Sequence, residues 1–296
     1  PRSTLFPYTT LFRSHPDARM ARNGFVRENQ AGVDVTDSQR TFVDDWPKPE
    51  ILVAMSDFEG LCGFRDPHET RQLFDGLDIR IPVDPVLGSL TERSGPAALA
   101  ETFLDCLAGD DLRRQIVTEV VSGAVNHVGE DTPLGEFART AVELDEYFPG
   151  DPSILAALML NRIHLRPGEA LAVPPGLMHS YLSGTGIEIM ADSNNVVRGG
   201  LTDKHIDVDS LIEIVDFQTQ EPWVMTAEEV DPGMRVFPGT DEQFRLWELD
   251  LDTTRPAILP ASDLARILLI TGGYAVCSSS QGTDEIVRGQ AVWIPA

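Results

Sequence analysis

Between Gly168 and Lys204 the chain gathers four residues able to do chemistry: His179, Glu188, Arg198 and Lys204. His179 follows a Pro174-Pro175-Gly176 turn, where an imidazole can ligate a metal or simply hold the turn by a hydrogen bond. Glu188 lies between Ile187 and Ile189, so on a strand it faces the opposite side from them. Pointing into a core it would be a costly carboxylate unless paired or at work; pointing outward it is an ordinary solvated group, and periodicity does not choose. Arg198 follows Asn194-Asn195; its planar fork suits a phosphate, another oxyanion, or a salt bridge in a loop. Of 23 cationic residues only two are lysines, Lys48 and Lys204. Arginine does the ordinary surface work, so a lysine marks a place that uses a compact point charge or a titratable amine, or else chance in an arginine-biased chain.

The elements that must position these groups fall into a pattern. Ile51–Met55 reads as a buried strand, and Phe58–Phe64 continues extended between Gly60 and Gly63. From Asp66 the spacing turns helical: Pro67–Leu77, Pro96–Leu107, a segment capped by Asp110 or Asp111, Gly135–Phe148, and a last segment from Asp151-Pro152 through Leu160. Short strands with turn signals follow: Arg162–Leu165, Ala170–Val173, Met178–Leu182 and Ile187–Ala191. A Gly-x5-Pro pattern at Gly168 and Pro174 recurs at Gly289 and Pro295, hinting at two related β units. Strands, a helical block, then strands again suggest a β-barrel or jelly roll with a helical insertion.

With 296 residues, 42% of them hydrophobic, the chain can bury two or three packed units. A net charge of −24 argues against nucleic acid and anionic membrane surfaces as partners. An anionic substrate would need a local reversal of that field, by Lys48, Arg198 and Lys204. Cys62, Cys106 and Cys277 fit no zinc spacing and no disulfide framework, which points to a reducing cytosol. No apolar run reaches membrane-spanning length. Thr4–Ser14, TLFPYTTLFRS, reads as the in-frame translation of a sequencing-adapter oligonucleotide. Residues 1–14 are therefore expected to be a non-native leader without defined packing, with native sequence starting partway through a gene at His15 and cut again after Ala296.

The spacing Gly168-x5-Pro174-x-Gly176-x2-His179 fits the second sequence motif of the cupin superfamily, with Ser183 where that motif often has Asn. KPEILVAMSDFEGLCGFR (48–65) and LNRIHLRPGEALAVPPGLMHSYLSGTGIEIMADSNNVVRGGLTDKHIDV (160–208) go further: with the helices between them they closely resemble class I mannose-6-phosphate isomerase, over nearly all of residues 15–296. The resemblance implies a mainly β fold with a helical insertion: cupin (jelly-roll) barrels, two β units plus an α-helical domain. It divides the chain into a first part of the catalytic cupin (15–65), a helical domain (66–160), a second part of that cupin (161–215) and a C-terminal cupin-like unit (216–296). It implies one zinc ion per chain, held by His15, Glu50 and His179. The family's fourth ligand, a Gln two positions before the first His, falls on Arg13, inside the suspected leader. It turns Glu188 inward and puts Glu188, Arg198, Lys204 and Lys48 among the catalytic groups, with Arg198, Lys204 and Lys48 binding substrate. The family usually reads Thr-Pro-Lys where this chain has Thr202-Asp203-Lys204, an added carboxylate that weakens the local positive field. His68, His127, His164 and His205 match no ligand position.

The implied activity is the interconversion of mannose 6-phosphate and fructose 6-phosphate through an enediol, by a cytoplasmic monomer acting on a small sugar phosphate. Two other readings share the fold: a cupin Fe(II) oxygenase, which uses two histidines and a carboxylate, and a non-catalytic sugar-binding cupin. Lacking the Gln ligand and the strands before His15, the chain as it stands is expected to bind metal weakly and to be nearly inactive.

Overall fold

Backbone pairing brings segments distant in sequence onto one sheet, and side-chain alternation then decides which core each residue enters. The computed structural model describes residues 12–93, 95–202, 204–239, 243–254, 256–259, 264–279 and 282–295. Strand β1 (Phe12–Ser14) precedes helix α1 (Ala18–Gln30), β2 (Glu50–Ala54) and β3 (Phe58–Phe64). The helical layer follows: α2 (Pro67–Asp75), α3 (Asp84–Leu87), α4 (Ser89–Glu92), α5 (Gly95–Leu107), α6 (Asp111–Ala124), α7 (Pro133–Tyr147) and α8 (Ser153–Ala157). Then come β4 (Leu160–Leu165), β5 (Glu169–Val173), β6 (His179–Ser183), β7 (Gly186–Met190), β8 (Val197–Gly200), α9 (Val208–Ile214) and β9 (Val224–Thr226).

The helix starts obey capping rules. Asp66 accepts the His68 and Glu69 amides ahead of α2, Asp110 accepts the Arg113 amide ahead of α6, and Thr132 accepts the Gly135 amide ahead of α7. Pro67 and Pro133 occupy first-turn positions that need no donor. Two sequence expectations are corrected. The last helix of the block is shorter than its spacing suggested: Asp151 takes the Ser153 amide, α8 ends at Ala157, and Leu160 opens β4 instead of closing the helix. Helix α1 was not anticipated.

Five strands form one antiparallel sheet in the order β4-β3-β6-β1-β8, and four form another, β7-β2-β5-β9. Leu52, Leu171 and Val173 of the second sheet pack with Phe58, Cys62, Ile163, Leu165 and Tyr181 of the first in one cluster. On the other face of the five-stranded sheet Phe12, Leu61, Phe64, Leu160 and Val197 join the helical core around Phe74, Phe103, Ile116, Phe137 and Leu144. Ile51, Val53, Ala170 and Ala172, alternating with the first set, pack with Met225 and Phe237. The chain is thus a mixed helix-and-sheet protein rather than a mainly β one. Among the described residues the two sheets share no strand pair, so no closed barrel is formed.

β1 overturns the expectation that residues 1–14 lack packing. Phe12–Ser14 pairs on both sides, with β6 and with β8, and Phe12 is fully buried against Phe103 at 5.6 Å between centroids. An extended Phe-Arg-Ser supplies the two things that slot requires, a backbone ladder and one apolar side chain on the helical face. Residues 1–11 lie outside the described residues.

The chain falls into two units: residues through Asp231 with Arg235–Glu248, and Pro232–Met234 with Leu249 onward. β9 belongs to the four-stranded sheet, so that sheet takes in residues beyond 216. A three-stranded sheet joins β10 (Glu228–Asp231), β11 (Met234–Val236) and β12 (Trp247–Leu249). In the second unit β13 (Arg266–Leu269), β14 (Tyr274–Ser279), β15 (Gly282–Val287) and β16 (Ala291–Ile294) make two two-stranded ladders, β13 with β16 and β14 with β15. Among the described residues no helix is long and apolar enough to cross a membrane.

Candidate metal centre

His15, Glu50 and His179 come together although 164 positions separate the first from the last, and all three are buried. β6 carries His179 into the space between the sheets; its register partner on β3 is Cys62, which faces the same cluster. β2 begins at Glu50, and His15 follows directly on β1. Their ligand atoms lie within 4.8 Å of one another.

Hydrogen bonds fix which ring nitrogen is free. His15 Nδ1 donates to the Asn195 carbonyl at 2.8 Å, since a carbonyl can only accept. His179 Nδ1 donates to the Leu177 carbonyl at 3.1 Å. In the neutral rings both Nε2 atoms therefore carry lone pairs, and both point at the same carboxylate: His15 Nε2 lies 3.3 Å from Glu50 Oε1 and His179 Nε2 3.6 Å from Glu50 Oε2. Neither Glu50 oxygen nor His15 Nε2 has a hydrogen-bond partner. Buried lone pairs crowded without a proton between them cost free energy that a bound cation would recover. Two imidazole nitrogens and a carboxylate, each oriented by a backbone carbonyl or a neighbouring strand, fit a divalent transition metal of the zinc type.

Charge balance follows from this packing. Burial pushes the Glu50 carboxyl up, but the adjacent His15, His179 and Arg13 together hold it below the usual carboxylate range. Burial, then Arg13 and His15, push the His179 imidazole down to about 3, so it is neutral near pH 7. Lys48 Nζ reaches Glu50 Oε1 at 3.2 Å.

Glu188 faces inward. Its partner on β2 is Leu52, a member of the cluster between the sheets, while Ile189 packs on the opposite side. Tyr181 donates its hydroxyl to Glu188 Oε1 at 2.6 Å. Burial first, and then the negative field of Glu50, raise the Glu188 carboxyl above its ordinary range. The same order of causes, burial and then Glu188, lifts Tyr181 well above the usual phenol. Arg198 is half-buried with its Nε unpartnered; its register partner is Arg13, so both guanidinium stems leave the same face of the sheet. Lys204 is exposed in the loop after β8, and among the described residues its side chain meets none of the cluster.

Two participants were not singled out from sequence, and a third, Arg13, was set aside as part of a leader. Tyr181 sits two residues after His179, and on a strand that spacing alone places it on the same face. Asn195 is fully buried and serves two segments: its carbonyl orients His15, and its amide ties Asp44 and Trp46 ahead of β2. Arg13, expected to lie in an unpacked leader, donates from Nε to His179 Nε2 at 3.1 Å and lies 3.8 Å from Glu188 Oε1.

No protein-family model matches the chain. Curated relatives do. The chain is 27% identical over 283 residues to mannose-6-phosphate isomerase of Escherichia coli, covering 95% of this chain and 70% of that protein. It is 30% identical over 272 residues to a probable mannose-6-phosphate isomerase of Caenorhabditis elegans, covering 87% of this chain and 63% of that protein. Among solved structures, a point mutant of phosphomannose isomerase from Salmonella typhimurium superposes with a TM-score of 0.81 at 25% identity, covering 96% of this chain and 70% of that chain. Sequence likeness along nearly the whole chain, a similar fold and a buried His-Glu-His cluster converge on mannose-6-phosphate isomerases as the proteins this chain resembles.

Proposed function

We propose that the chain is a zinc-dependent aldose–ketose isomerase that interconverts mannose 6-phosphate and fructose 6-phosphate. The observation that carries the reading is the buried His15-Glu50-His179 cluster, in which His15 Nε2 and both Glu50 oxygens lack a hydrogen-bond partner, beside the inward-facing Glu188. A solved mannose 6-phosphate isomerase from Salmonella typhimurium, with a TM-score of 0.84 to this chain, is bound to fructose 6-phosphate and zinc. Here His15, Glu50 and His179 would hold the ion, which when bound supplies a Lewis acid for the oxygens at the first two sugar carbons.

The chain's own groups do the rest. Glu188, its affinity for protons raised by burial, is the candidate that carries a proton between C1 and C2. Tyr181 holds that carboxylate in place through its hydroxyl. Lys48 offsets the charge of Glu50, and Arg198, with a free Nε on the cluster's side of the sheet, is the candidate to meet oxyanion or phosphate. Lys204 would have to reach the substrate from its loop, as a steering charge in a strongly acidic molecule. The two facing sheets are read as a cupin jelly roll, and the enzyme as a cytoplasmic monomer.

The test is conversion of mannose 6-phosphate with added zinc, run on the parent chain and on Arg13→Gln, whose side chain no longer lays a cation on His179. Conversion by at least one is expected, with Glu188→Gln in the active background lowering kcat by about 10²–10⁴-fold. No conversion by either chain overturns the isomerase reading, and undiminished kcat in Glu188→Gln overturns the role given to that carboxylate.

A further inference from the structure

We propose that Arg13 is the resident cation of this centre and that its guanidinium opposes metal binding in this chain. The inference rests on the reading of His15, Glu50 and His179 as the zinc ligands. Arg13 Nε donates to His179 Nε2 at 3.1 Å, and so occupies the lone pair a metal would need. The rest of its fork is held as well: Nη2 lies 3.8 Å from Glu188 Oε1, and the guanidinium carbon lies 5.5 Å from the Tyr181 ring centroid. Its side chain is 16% exposed, and its backbone sits in a strand paired on both sides, with His179 and Arg198 as its register partners. The group is therefore aimed into the centre by the sheet and fixed there by three neighbours.

The consequence is electrostatic. Two carboxylates, the buried Glu50 and the half-buried Glu188, need positive charge nearby, and Arg13 with Lys48 supplies it when no metal is bound. A zinc ion entering the cluster must break the Arg13–His179 hydrogen bond and then sit within a few ångströms of a guanidinium, a group that does not shed its proton to relieve the repulsion. Arg13 thus stabilises the metal-free fold and weakens the metal complex through the same contact.

The experiment compares zinc affinity in the parent, Arg13→Gln, Arg13→Met and Arg13→Lys. Each protein is stripped with a chelator and titrated with zinc alone against a chelating dye. Circular dichroism melts, with and without zinc, establish that each variant is folded. Arg13→Gln and Arg13→Met should bind zinc at least about tenfold more tightly than the parent, and Arg13→Lys, which keeps a cation on a similar stem, should stay near it. Adding His179→Ala to Arg13→Gln should abolish the gain. Met tests removal of charge alone, and Gln adds a carbonyl oxygen, so either variant that folds decides the matter. Affinity unchanged in Gln and Met, or raised as much in Lys as in Met, overturns the inference. The outcome is separable from the isomerase reading: tight zinc without sugar-phosphate conversion sinks that reading and leaves this one standing, while conversion without any change in zinc affinity does the reverse.

Discussion

At the scale of single residues the centre is defined by where protons are missing. Backbone carbonyls take the Nδ1 protons of His15 and His179, which leaves two Nε2 lone pairs facing one carboxylate. Glu188 differs from Glu50 in its partners. Glu50 has cationic and imidazole neighbours that overcome its burial, whereas Glu188 has burial and the field of Glu50 against it, and only Tyr181, Arg13 and Lys48 in its favour. A hydroxyl that donates to a carboxylate stabilises the charged form and lowers its pKa. Tyr181→Phe removes that donor, so the Glu188 titration midpoint should rise further. The check is the carboxyl-carbon chemical shift of Glu188 followed by NMR across pH; a midpoint that stays or falls means the Tyr181 contact does not govern Glu188.

At the scale of elements, helix α1 shows how close packing overrides propensity. It runs from the Asp17 cap to Gln30 with Gly24 in its middle, where glycine costs about 1 kcal/mol relative to alanine. The reason is on the facing loop: a Cβ at Gly24 would lie 2.4 Å from the ring of Phe42, which is completely buried. Gly24→Ala should therefore destabilise despite the better helix former, because overpacking at about 1–3 kcal/mol exceeds the propensity gained. Urea unfolding should show a net loss of up to about 2 kcal/mol, and a gain in stability would mean that Phe42 can move. Phe42 also lies beside the buried Arg40, which is fastened to the Phe42 and Val33 carbonyls and to Asn29, so the ring has little freedom to retreat. This loop follows α1 and leads through Asn195's hydrogen bonds to Glu50, so its placement bears on the centre as well.

At the scale of the whole molecule the two units differ in how much apolar surface they hide. The first packs its strands on both faces, as the fully buried Leu171, Cys62 and Phe12 record. In the second, Ile267 and its cross-strand partner Trp293 are 70% and 65% exposed, and Tyr274 beside Val287 is similarly open. Two-stranded ladders with little buried area open readily. Backbone amides of the β14–β15 ladder should exchange with solvent at least about tenfold faster than those of β2 and β5; equal protection would show that the second unit is stabilised by contacts its surface does not reveal. The division between sequence and tertiary structure follows the same physics. Local patterns were enough for the helix cap at Asp110, for most helix spans, and for the strand alternation that set Glu188 against its isoleucine neighbours. Those patterns depend only on neighbours within a turn or a pleat. The resemblance brought His15, Glu50 and His179 together on paper, but no local signal reports their approach, because it depends on which strands pair across more than a hundred residues. The resemblance put a ligand position at Arg13, but its place in a suspected leader hid its aim: Phe-Arg-Ser has no fixed face until β6 and β8 flank it, and that register turns the one arginine toward the ligands. Lys204, conspicuous by rarity, stands in an exposed loop, since composition carries no information about where a side chain is held.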